Sequence, residues 1–470
     1  MTTTNAGTRT GVGACALAAF VSVVNPGTGH LAVRARVRRA TIAASIVNIA
    51  ATIALIVIMA PVRDKSDLTD VIANRSVFLG LGLALAAMAI TRLFTAVDSA
   101  WLARPTGNAR LRVAAAAAAG VLIVVGVAPL AIAADYVWKA DQAVEKVFGS
   151  EDAETAFPTP LPTTTVEGTD TTGEPTTTEP FFDGEERVNI LLLGGDAGPG
   201  RPGLRTDTMI VVSINAETGY TAMIAIPRNL EAMPFPEGTA LAEKFPEGFN
   251  DLANAVYAYA ERHPELVGDA DDAGEQAIKL GISQLLGLPI HYYVLADMAG
   301  FVDIVDALGG IDIYVPKRVP TPGNPRGAKH PVPEFIKKGE QHMDGTVALA
   351  YARTREADSD YHRMDRQQCL LGAVINAATP MSLALGFTDL VAAFGDSVNT
   401  DIPRDELDDF GELLDRFSDA GGRARVHTLH LSPPLINPFN WKASEVRALV
   451  ADALVEVVIN EDIPLLDKNC

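Results

Sequence analysis

The stretch VNILLLGGD, residues 188–196, decides the fold of the C-terminal part of this chain. The run from Val188 to Leu193 has the length and composition of a buried strand, and two glycines end it before Asp196. A strand that stops at glycines followed by an acid often brings that acid to the edge of a sheet. The stretch therefore predicts a central strand with a ligand-facing carboxylate at its end.

Two further apolar runs follow in close order. MIVVSI at 209–214 and YTAMIAI at 220–226 predict a second and a third strand. Asp207 lies just before the second strand, and Arg228 follows the third. Together with Asp196, two carboxylates at one sheet edge suit a hard divalent cation with oxygen ligands. Taken singly, each acid is more simply explained as the cap of a turn.

The stretch GEQHMDGTVALAYARTREADSDYHRMDRQQ, residues 339–368, carries a denser group of charges. Arg353 and Arg355 are two positions apart, so on a strand both side chains lie on one face. Arg363 and Gln367 are four positions apart, so on a helix they stack on one face. The spacing therefore favours a cationic surface built from two adjoining elements.

Acids and a further arginine accompany this surface. Arg366 lies beside the helical face, and Asp358 and Asp360 fit the start of that helix, where carboxylates suit the dipole. Arginines gathered at one point repel each other unless an anion lies among them, and the guanidinium group binds phosphate oxygens in pairs. The alternative is a surface network in which the arginines pair with Asp358, Asp360 and Asp365. Spacing alone does not choose between the two.

The segment between the two charged groups alternates between strand and helix patterns. Residues 277–285 predict an amphipathic helix, 292–295 a strand, 298–310 a helix closed by glycines, and 311–315 a strand. This alternation indicates an α/β domain. The apolar face of the 298–310 helix predicts ordinary core, with the lining of a lipid cleft as the alternative.

The first third of the chain contains apolar segments of membrane-spanning length. Residues 41–60, 77–97 and 113–134 are each long enough to cross roughly 30 Å of hydrocarbon. Arginines in the loops before the first and third segments indicate the cytoplasmic side, which places the chain after residue 135 outside the cell. The shorter apolar stretch 11–24 predicts an interfacial or re-entrant segment, with a fourth span as the alternative.

Composition sets the remaining boundaries. Residues 151–185 are rich in Thr, Pro, Glu and Asp and contain no Lys or Arg, which is typical of an extended tether. We therefore divide the chain into a membrane anchor at 1–135, a helical extension and acidic linker at 136–185, and an outer domain at 186–470. The net charge of −20 over 470 residues argues against a nucleic-acid partner.

Cysteine usage leaves one question open. The chain has three cysteines, Cys15, Cys369 and Cys470. Cys369 and Cys470 could pair if both face an oxidising space, and two free thiols are the alternative.

The segments together resemble the LytR-CpsA-Psr family. The matching pieces are NILLLGGD, RTDTMIV, AIPRN, LANAVY, FVDIVDALGGIDIYVP and the 339–368 stretch, and they cover about residues 186–380. The paired arginines, the acid after them and the Arg-x-x-Arg-Gln run are the most specific. One position departs from the family, because Asn229 stands where an aspartate is usual, and its role stays open.

The resemblance implies a fold and a set of site residues. The expected fold is α/β: N-terminal transmembrane helices followed by an extracytoplasmic α-β-α sandwich with a mixed central sheet. Asp196 and Asp207 would bind Mg²⁺ or Mn²⁺. The residues that would bind pyrophosphate are Arg228, Arg353, Arg355, Asp360, Arg363 and Gln367, and those that would act in catalysis are Asp207, Arg228, Arg353 and Arg355.

The resemblance also implies an activity and a location. The expected protein is a multi-pass enzyme of the cell membrane that transfers a glycopolymer from a polyprenyl-pyrophosphate carrier to peptidoglycan through a phosphodiester. Alternatives are a pyrophosphatase acting on the same carrier and a non-catalytic protein that binds lipid intermediates or regulates. The glycan would be teichoic acid or, if the alanine-rich composition reflects an actinobacterial genome, arabinogalactan.

Overall fold

The structure, a computed structural model, forms two compact units, Met1–Gln142 and Ala143–Cys470. It describes residues 11–26, 28–32, 39–60, 71, 74–105, 108–148, 186–196, 204–268, 270, 272–324, 330–354, 360–378, 397–422 and 426–456.

The first unit is helical throughout its described residues. Three helices are long and apolar enough to cross a membrane, and they overlap the three predicted spans. Pro129 lies inside the last of them without ending it. The helices are α1 (Val12–Val24), α2 (Thr28–Ala32), α3 (Arg39–Met59), α4 (Arg75–Ala103) and α5 (Ala109–Phe148), of which α5 continues beyond the boundary of the unit.

The segment before α3 forms a short hairpin against α4. With 13 residues, α1 is about 20 Å long and falls short of the roughly 30 Å of hydrocarbon in a bilayer. The N–H of Gly11 donates to the carbonyl of Ala103 at 3.1 Å, while Val23 packs with Ala96, so α1 and α4 run in opposite directions. From there α2 turns back, and its hydrogen-bond partners lie on α1 and α4. This geometry favours the re-entrant interpretation of residues 11–24 over a fourth span.

The second unit is built on a six-stranded mixed sheet with the order β10-β3-β2-β1-β4-β9. The β1–β2, β2–β3 and β4–β9 pairs are antiparallel, and the β1–β4 and β3–β10 pairs are parallel. The strands of this sheet are β1 (Arg187–Gly195), β2 (Thr206–Asn215), β3 (Thr221–Ala225), β4 (Tyr292–Asp297), β9 (Val398–Thr400) and β10 (His427–His430). The three strands predicted around Asp196, Asp207 and Arg228 are thus confirmed.

Two small sheets and eight further helices complete the described part of the unit. The small sheets pair β5 (Ile311–Val315) with β8 (Gly339–Met343) and β6 (Val319–Pro320) with β7 (Phe335–Ile336). The helices are α6 (Ala240–Lys244), α7 (Val256–Ala260), α8 (Ala273–Leu286), α9 (Met298–Ala307), α10 (Gly345–Arg353), α11 (Asp360–Ala377), α12 (Leu407–Asp419) and α13 (Ala443–Leu454).

Helices cover both faces of the central sheet. On one face the core gathers side chains from α6, α7, α8 and α13, including Leu241, Ile278 and Val446. On the other face Met364 of α11 and Leu413 of α12 pack against the sheet. Alternate residues of the strands enter the two cores, because successive side chains of a strand point to opposite faces. The predicted α-β-α sandwich with a mixed sheet is confirmed.

A third core lies beside the sandwich, as the apolar pattern of the 298–310 helix predicts. It joins β5, β8, α9, α10 and the outer side of α11, and it includes Val305 and Cys369. Val305 therefore belongs to ordinary core rather than to a lipid cleft. Arg353 is the last residue of α10, so the assignment of Arg353 and Arg355 to one strand is wrong at Arg353.

The cysteines fall into two environments. Cys15 is a buried free thiol in the helical unit. Cys369 on α11 is disulfide-bonded. Cys470 lies outside the described residues, so its pairing stays a prediction.

Candidate active site

Glycines shape the junction between β1 and β2. The register of the two strands shifts between Gly194 and Gly195. A Cβ atom at Gly194 would lie 2.8 Å from the Cβ of Thr208, closer than side chains approach each other in proteins. Only glycine therefore fits this irregular pairing, which turns the chain out of the sheet directly before Asp196.

One backbone carbonyl holds the two candidate metal-binding acids side by side. The carbonyl of Arg205 accepts a hydrogen bond from the N–H of Asp196 at 2.9 Å and from the N–H of Asp207 at 3.1 Å. Because both bonds end at the same oxygen, the two aspartates emerge from neighbouring positions at one edge of the sheet. The prediction that Asp196 and Asp207 meet at a sheet edge is confirmed.

Asp207 lies at the centre of a group of polar side chains. Nη1 of Arg228 donates to both carboxylate oxygens of Asp207 at 3.1 Å, and Nδ2 of Asn254 donates to Oδ1 at 3.0 Å. From α11, Nη2 of Arg363 donates to the backbone carbonyl of Asp207 at 3.1 Å. Residues from β2, the loop after β3, the turn before α7 and the start of α11 thus converge on one point.

The surroundings of Asp207 keep its carboxylate ionised. Burial by itself would raise the pKa of Asp207, but the hydrogen bond from Asn254 and the positive charges of Arg228 and Arg363 outweigh it. The pKa therefore lies below its ordinary value. A carboxylate with a low pKa is a weak general base, so this environment favours a role for Asp207 in holding cations.

The two arginines of α11 point to different partners. Arg363 is 4% exposed and reaches the Asp207 group. Arg366 donates instead to the carbonyls of Tyr351 and Thr354, at 3.1 Å and 2.6 Å, at the end of α10. Arg366 therefore fixes the α10–α11 corner, directly beside Arg353 at the end of α10.

Two other predicted pyrophosphate residues also lie in the described part of the chain. Arg353 and Gln367 are half-buried, and neither forms a hydrogen bond or an ion pair among the described residues. Arg353 thus remains an available cation at the end of α10. Arg355 and the side chain of Asp360 lie outside the described residues, although α11 begins at Asp360, as the sequence predicts.

The acids fit a magnesium or manganese ion only with help from a substrate. In the part of the chain that the structure describes, no group of three or more His, Cys, Asp and Glu side chains is placed to hold a metal ion. Mg²⁺ is commonly bound through one or two carboxylates, with water and substrate phosphates as the remaining ligands. Asp196 and Asp207 meet that requirement, so these residues and the implied ion are compatible.

Two contributors to the site escaped the sequence argument. Asn254 is 5% exposed and donates to Asp207, and Arg205 provides the carbonyl that joins the two acids. An asparagine at the start of a helix otherwise made of Leu, Ala, Val and Tyr is the signal that could have pointed to Asn254.

The sequence of this chain is similar to a known protein family and to several named relatives. The LytR_cpsA_psr family model matches residues 160–441, more than half of the chain. A Bacillus cereus (strain AH820) protein named polyisoprenyl-teichoic acid–peptidoglycan teichoic acid transferase TagU is 29% identical over 226 residues, which are 48% of this chain and 63% of the relative. The Bacillus subtilis (strain 168) protein of the same name is 29% identical over 267 residues, 56% of this chain and 75% of that relative.

Solved structures match part of this chain at lower identity. The crystal structure of B. subtilis TagV aligns with 57% of this chain and 96% of its own, at 24% identity and a TM-score of 0.42. Relatives such as the B. cereus protein are matched over less than two thirds of their own length.

Proposed function

This chain belongs to the LytR-CpsA-Psr family, and from that premise we propose that it transfers a glycopolymer from a polyprenyl-pyrophosphate carrier to peptidoglycan. The B. cereus and B. subtilis relatives carry names that describe such a transfer of teichoic acid. The observation that carries the proposal is the group around Asp207, in which Arg228 binds the carboxylate, Arg363 binds the backbone carbonyl, and Asp196 lies next to Asp207.

This arrangement suits a pyrophosphate better than a neutral ligand. Arginine binds phosphate oxygens in pairs and keeps its charge at any physiological pH. Arg228, Arg353 and Arg363 would bind the diphosphate and offset the negative charge that grows on the leaving lipid phosphate. Asp207 would keep Arg228 in place through both of its oxygens.

The proposed reaction conserves every atom. The oxygen of a peptidoglycan hydroxyl attacks the phosphorus next to the glycan, and the bond from that phosphorus to the bridging oxygen breaks. Glycan phosphate remains on the peptidoglycan as a phosphodiester, polyprenyl phosphate leaves with the bridging oxygen, and the hydroxyl proton passes to solvent or a base. Catalysis of this kind depends on alignment and charge stabilisation more than on a covalent intermediate.

We further propose that Asp196 and Asp207 hold Mg²⁺ or Mn²⁺ together with the substrate. The ion would supply positive charge at the diphosphate. The membrane helices would place the domain on the outer side of the cell membrane, next to both substrates. The glycan is proposed to be a teichoic acid, as in the names of the relatives, with arabinogalactan as the other candidate.

The test uses the full-length protein in detergent with a polyprenyl-pyrophosphate-linked glycan, with and without peptidoglycan. We expect release of polyprenyl phosphate that requires the acceptor, together with labelled glycan on the peptidoglycan. Asp207→Asn and Arg228→Ala should each lower transfer by about 100-fold, the usual cost of losing a group that stabilises transition-state charge. A chelator should stop transfer, and added Mg²⁺ should restore it.

The matched control is Asp312→Asn. Asp312 also pairs with a nitrogen-bearing side chain, His342 at 2.8 Å, but it is exposed and lies in the β5–β8 sheet. Its variant should transfer glycan at the wild-type rate. Equal carrier cleavage with and without peptidoglycan would instead identify a pyrophosphatase, and binding without cleavage would identify a non-catalytic protein.

A further inference from the structure

An open cleft of about 280 Å³ lies between the start of α11 and the loop that follows β10. Its polar lining consists of Tyr361, His362, Asp365, His430 and Ser432. The group around Asp207 includes Arg228, Asn254 and Arg363, and none of these side chains lines the cleft.

A histidine–aspartate pair forms its centre. Nδ1 of His430 lies 3.4 Å from Oδ1 of Asp365, and the two side chains are 20% and 45% exposed. Burial lowers the pKa of His430, although the charge of Asp365 acts in the opposite direction. A neutral imidazole offers one donor and one acceptor, and Asp365 offers acceptors.

The wall beyond β10 is held in place by backbone hydrogen bonds. The N–H of Leu431 donates to the carbonyl of Ala225 at 3.0 Å, and the N–H of Ser432 donates to the carbonyl of His430 at 2.8 Å. Pro433 and Pro434 follow with rigid rings that also line the cleft. The lining is therefore formed before any ligand arrives, which limits the entropy lost on binding.

The cleft and the Asp207 group share one end of the sheet. β3 is antiparallel to β2 and parallel to β10, so the start of β2 and the ends of β3 and β10 lie at the same edge. The same turns of α11 carry Arg363, which reaches Asp207, and Asp365, which reaches His430. Two residues apart on a helix, these side chains leave it on different sides.

The lining excludes several classes of ligand. It contains no Lys or Arg, so a phosphate would lack a cation, and its polar groups do not suit a lipid chain. The described residues offer no three-ligand metal site. Its volume lies just below the range of about 300–1,000 Å³ for ligand sites, which fits one or two rings.

A sugar ring meets the remaining requirements. Its hydroxyls both donate and accept, matching Asp365, His430 and Ser432, and its C–H face packs on flat or rigid rings such as those of Tyr361 and the prolines. We propose that this cleft binds a saccharide ring of one of the two glycan substrates, with the peptidoglycan acceptor as the favoured source because the diphosphate of the donor occupies the arginine side of α11. The proposal rests on the proposed function for its choice of glycan.

The first experiment measures binding directly and does not require transfer. Full-length protein in detergent is titrated with the disaccharide N-acetylglucosaminyl-N-acetylmuramic acid and observed by saturation-transfer NMR. We expect binding by the wild type that is at least about tenfold weaker in Asp365→Asn and in His430→Gln. Asp365→Asn keeps the shape of a half-exposed residue, so it remains decisive if His430→Gln does not fold.

The second experiment distinguishes the two glycans. A KM for peptidoglycan fragments that rises about tenfold in Asp365→Asn, with the KM for the lipid-linked donor unchanged, supports the acceptor. A rise confined to the donor KM supports a saccharide site occupied by the donor glycan. Asp312→Asn, in the exposed pair with His342, should change neither constant.

The proposal is overturned if disaccharide binding and both KM values of Asp365→Asn and His430→Gln stay within twofold of the wild type. Because binding is measured without turnover, a protein that binds the disaccharide but transfers nothing would refute the proposed function and retain the saccharide site.

Discussion

At the scale of single residues, Glu275 is the least expected feature of the outer domain. It lies on α8 with 2% exposure, and Nδ2 of Asn399 donates to its Oε1 at 3.1 Å. Its Oε2 is buried without a hydrogen-bond partner among the described residues. Burial raises the pKa of Glu275 to about 7, with smaller contributions from the charges of Asp272 and Glu261. The folded protein therefore retains a proton that the unfolded chain releases.

Glu275→Gln should make the free energy of unfolding less dependent on pH. The pKa of Glu275 is raised on folding from 4.5 to about 7, so its contribution to stability is greatest below pH 4.5 and is lost as the pH rises towards 7. At pH 8 the variant should exceed the wild type by about 3 kcal/mol, and near pH 4 the two should be similar. Urea unfolding at both pH values measures this.

The exposed Glu340 provides the control for this prediction. Glu340→Gln should leave the pH dependence of unfolding as it is in the wild type. An equal loss of stability between pH 4 and pH 8 in the wild type and in Glu275→Gln would contradict the assignment.

Sequence reasoning located the charged residues of the site better than their partners. The end of a strand and the spacing along a helix leave few possible positions for a charged side chain. For that reason the sequence was sufficient to select Asp196, Asp207, Arg228 and Arg363. Arg366 has the same spacing as a site residue, but its side chain turned towards the end of α10. The direction of a long side chain depends on tertiary packing, which spacing does not contain.

At the scale of elements, Arg366 acts as a clamp between two helices. The last carbonyls of α10 have no partner within that helix, and Arg366 donates to the carbonyls of Tyr351 and Thr354 from a position 6% exposed. Arg353, at the end of α10, is held in place by this contact. The clamp therefore links the stability of the corner to the placement of a predicted site residue.

Arg366→Ala should lower the free energy of unfolding by about 3 kcal/mol, because it leaves two buried carbonyls without their charged donor. Thermal unfolding measures the loss, and glycan transfer should fall with it. Arg262→Ala is the control, since Arg262 donates to the carbonyl of Ala258 at 2.8 Å from an exposed position. A similar melting temperature for both variants would show that Arg366 is not a clamp.

The alternation of elements followed the sequence closely where the apolar period was clear. The strands around residues 188–226 and the helices at α8 and α9 were predicted from that period. The segment 339–368 was harder, because its charges suggested a surface but did not show that α10 extends to Arg353. An arginine in the last turn of a helix interacts favourably with the helix dipole. This local preference supports a helix that extends to Arg353, where the sequence had suggested a strand.

At the scale of the whole molecule, hydropathy and charge together predict which parts lie on each side of the membrane. The three long apolar helices were foreseen from composition alone, because crossing a bilayer requires about 20 apolar residues. The stretch 11–24 is less decisive, because its length predicts an interfacial or re-entrant segment without excluding a fourth span.

Reporter fusions test the orientation. Alkaline phosphatase, active only outside the cytoplasm, should be inactive when fused after residue 105 and active when fused after residue 148. The reason is that the arginines before the first and third spans favour the cytoplasmic side. A fusion after residue 26 should also be inactive, because a re-entrant α1 does not cross the membrane. The opposite pattern of activity would place the outer domain in the cytoplasm and end the proposed function.

The position of α11 has a consequence for how the two proposed substrates would be recognised. Helix α11 carries Arg363 on one side and Asp365 on the other. A ligand that binds on one side and immobilises the helix therefore reduces the conformational entropy that a second ligand loses when it binds on the other side. If carrier and acceptor bind as proposed, thermodynamic linkage requires each to strengthen the binding of the other by the same factor. Substitutions on the two sides of this helix would consequently not have additive effects.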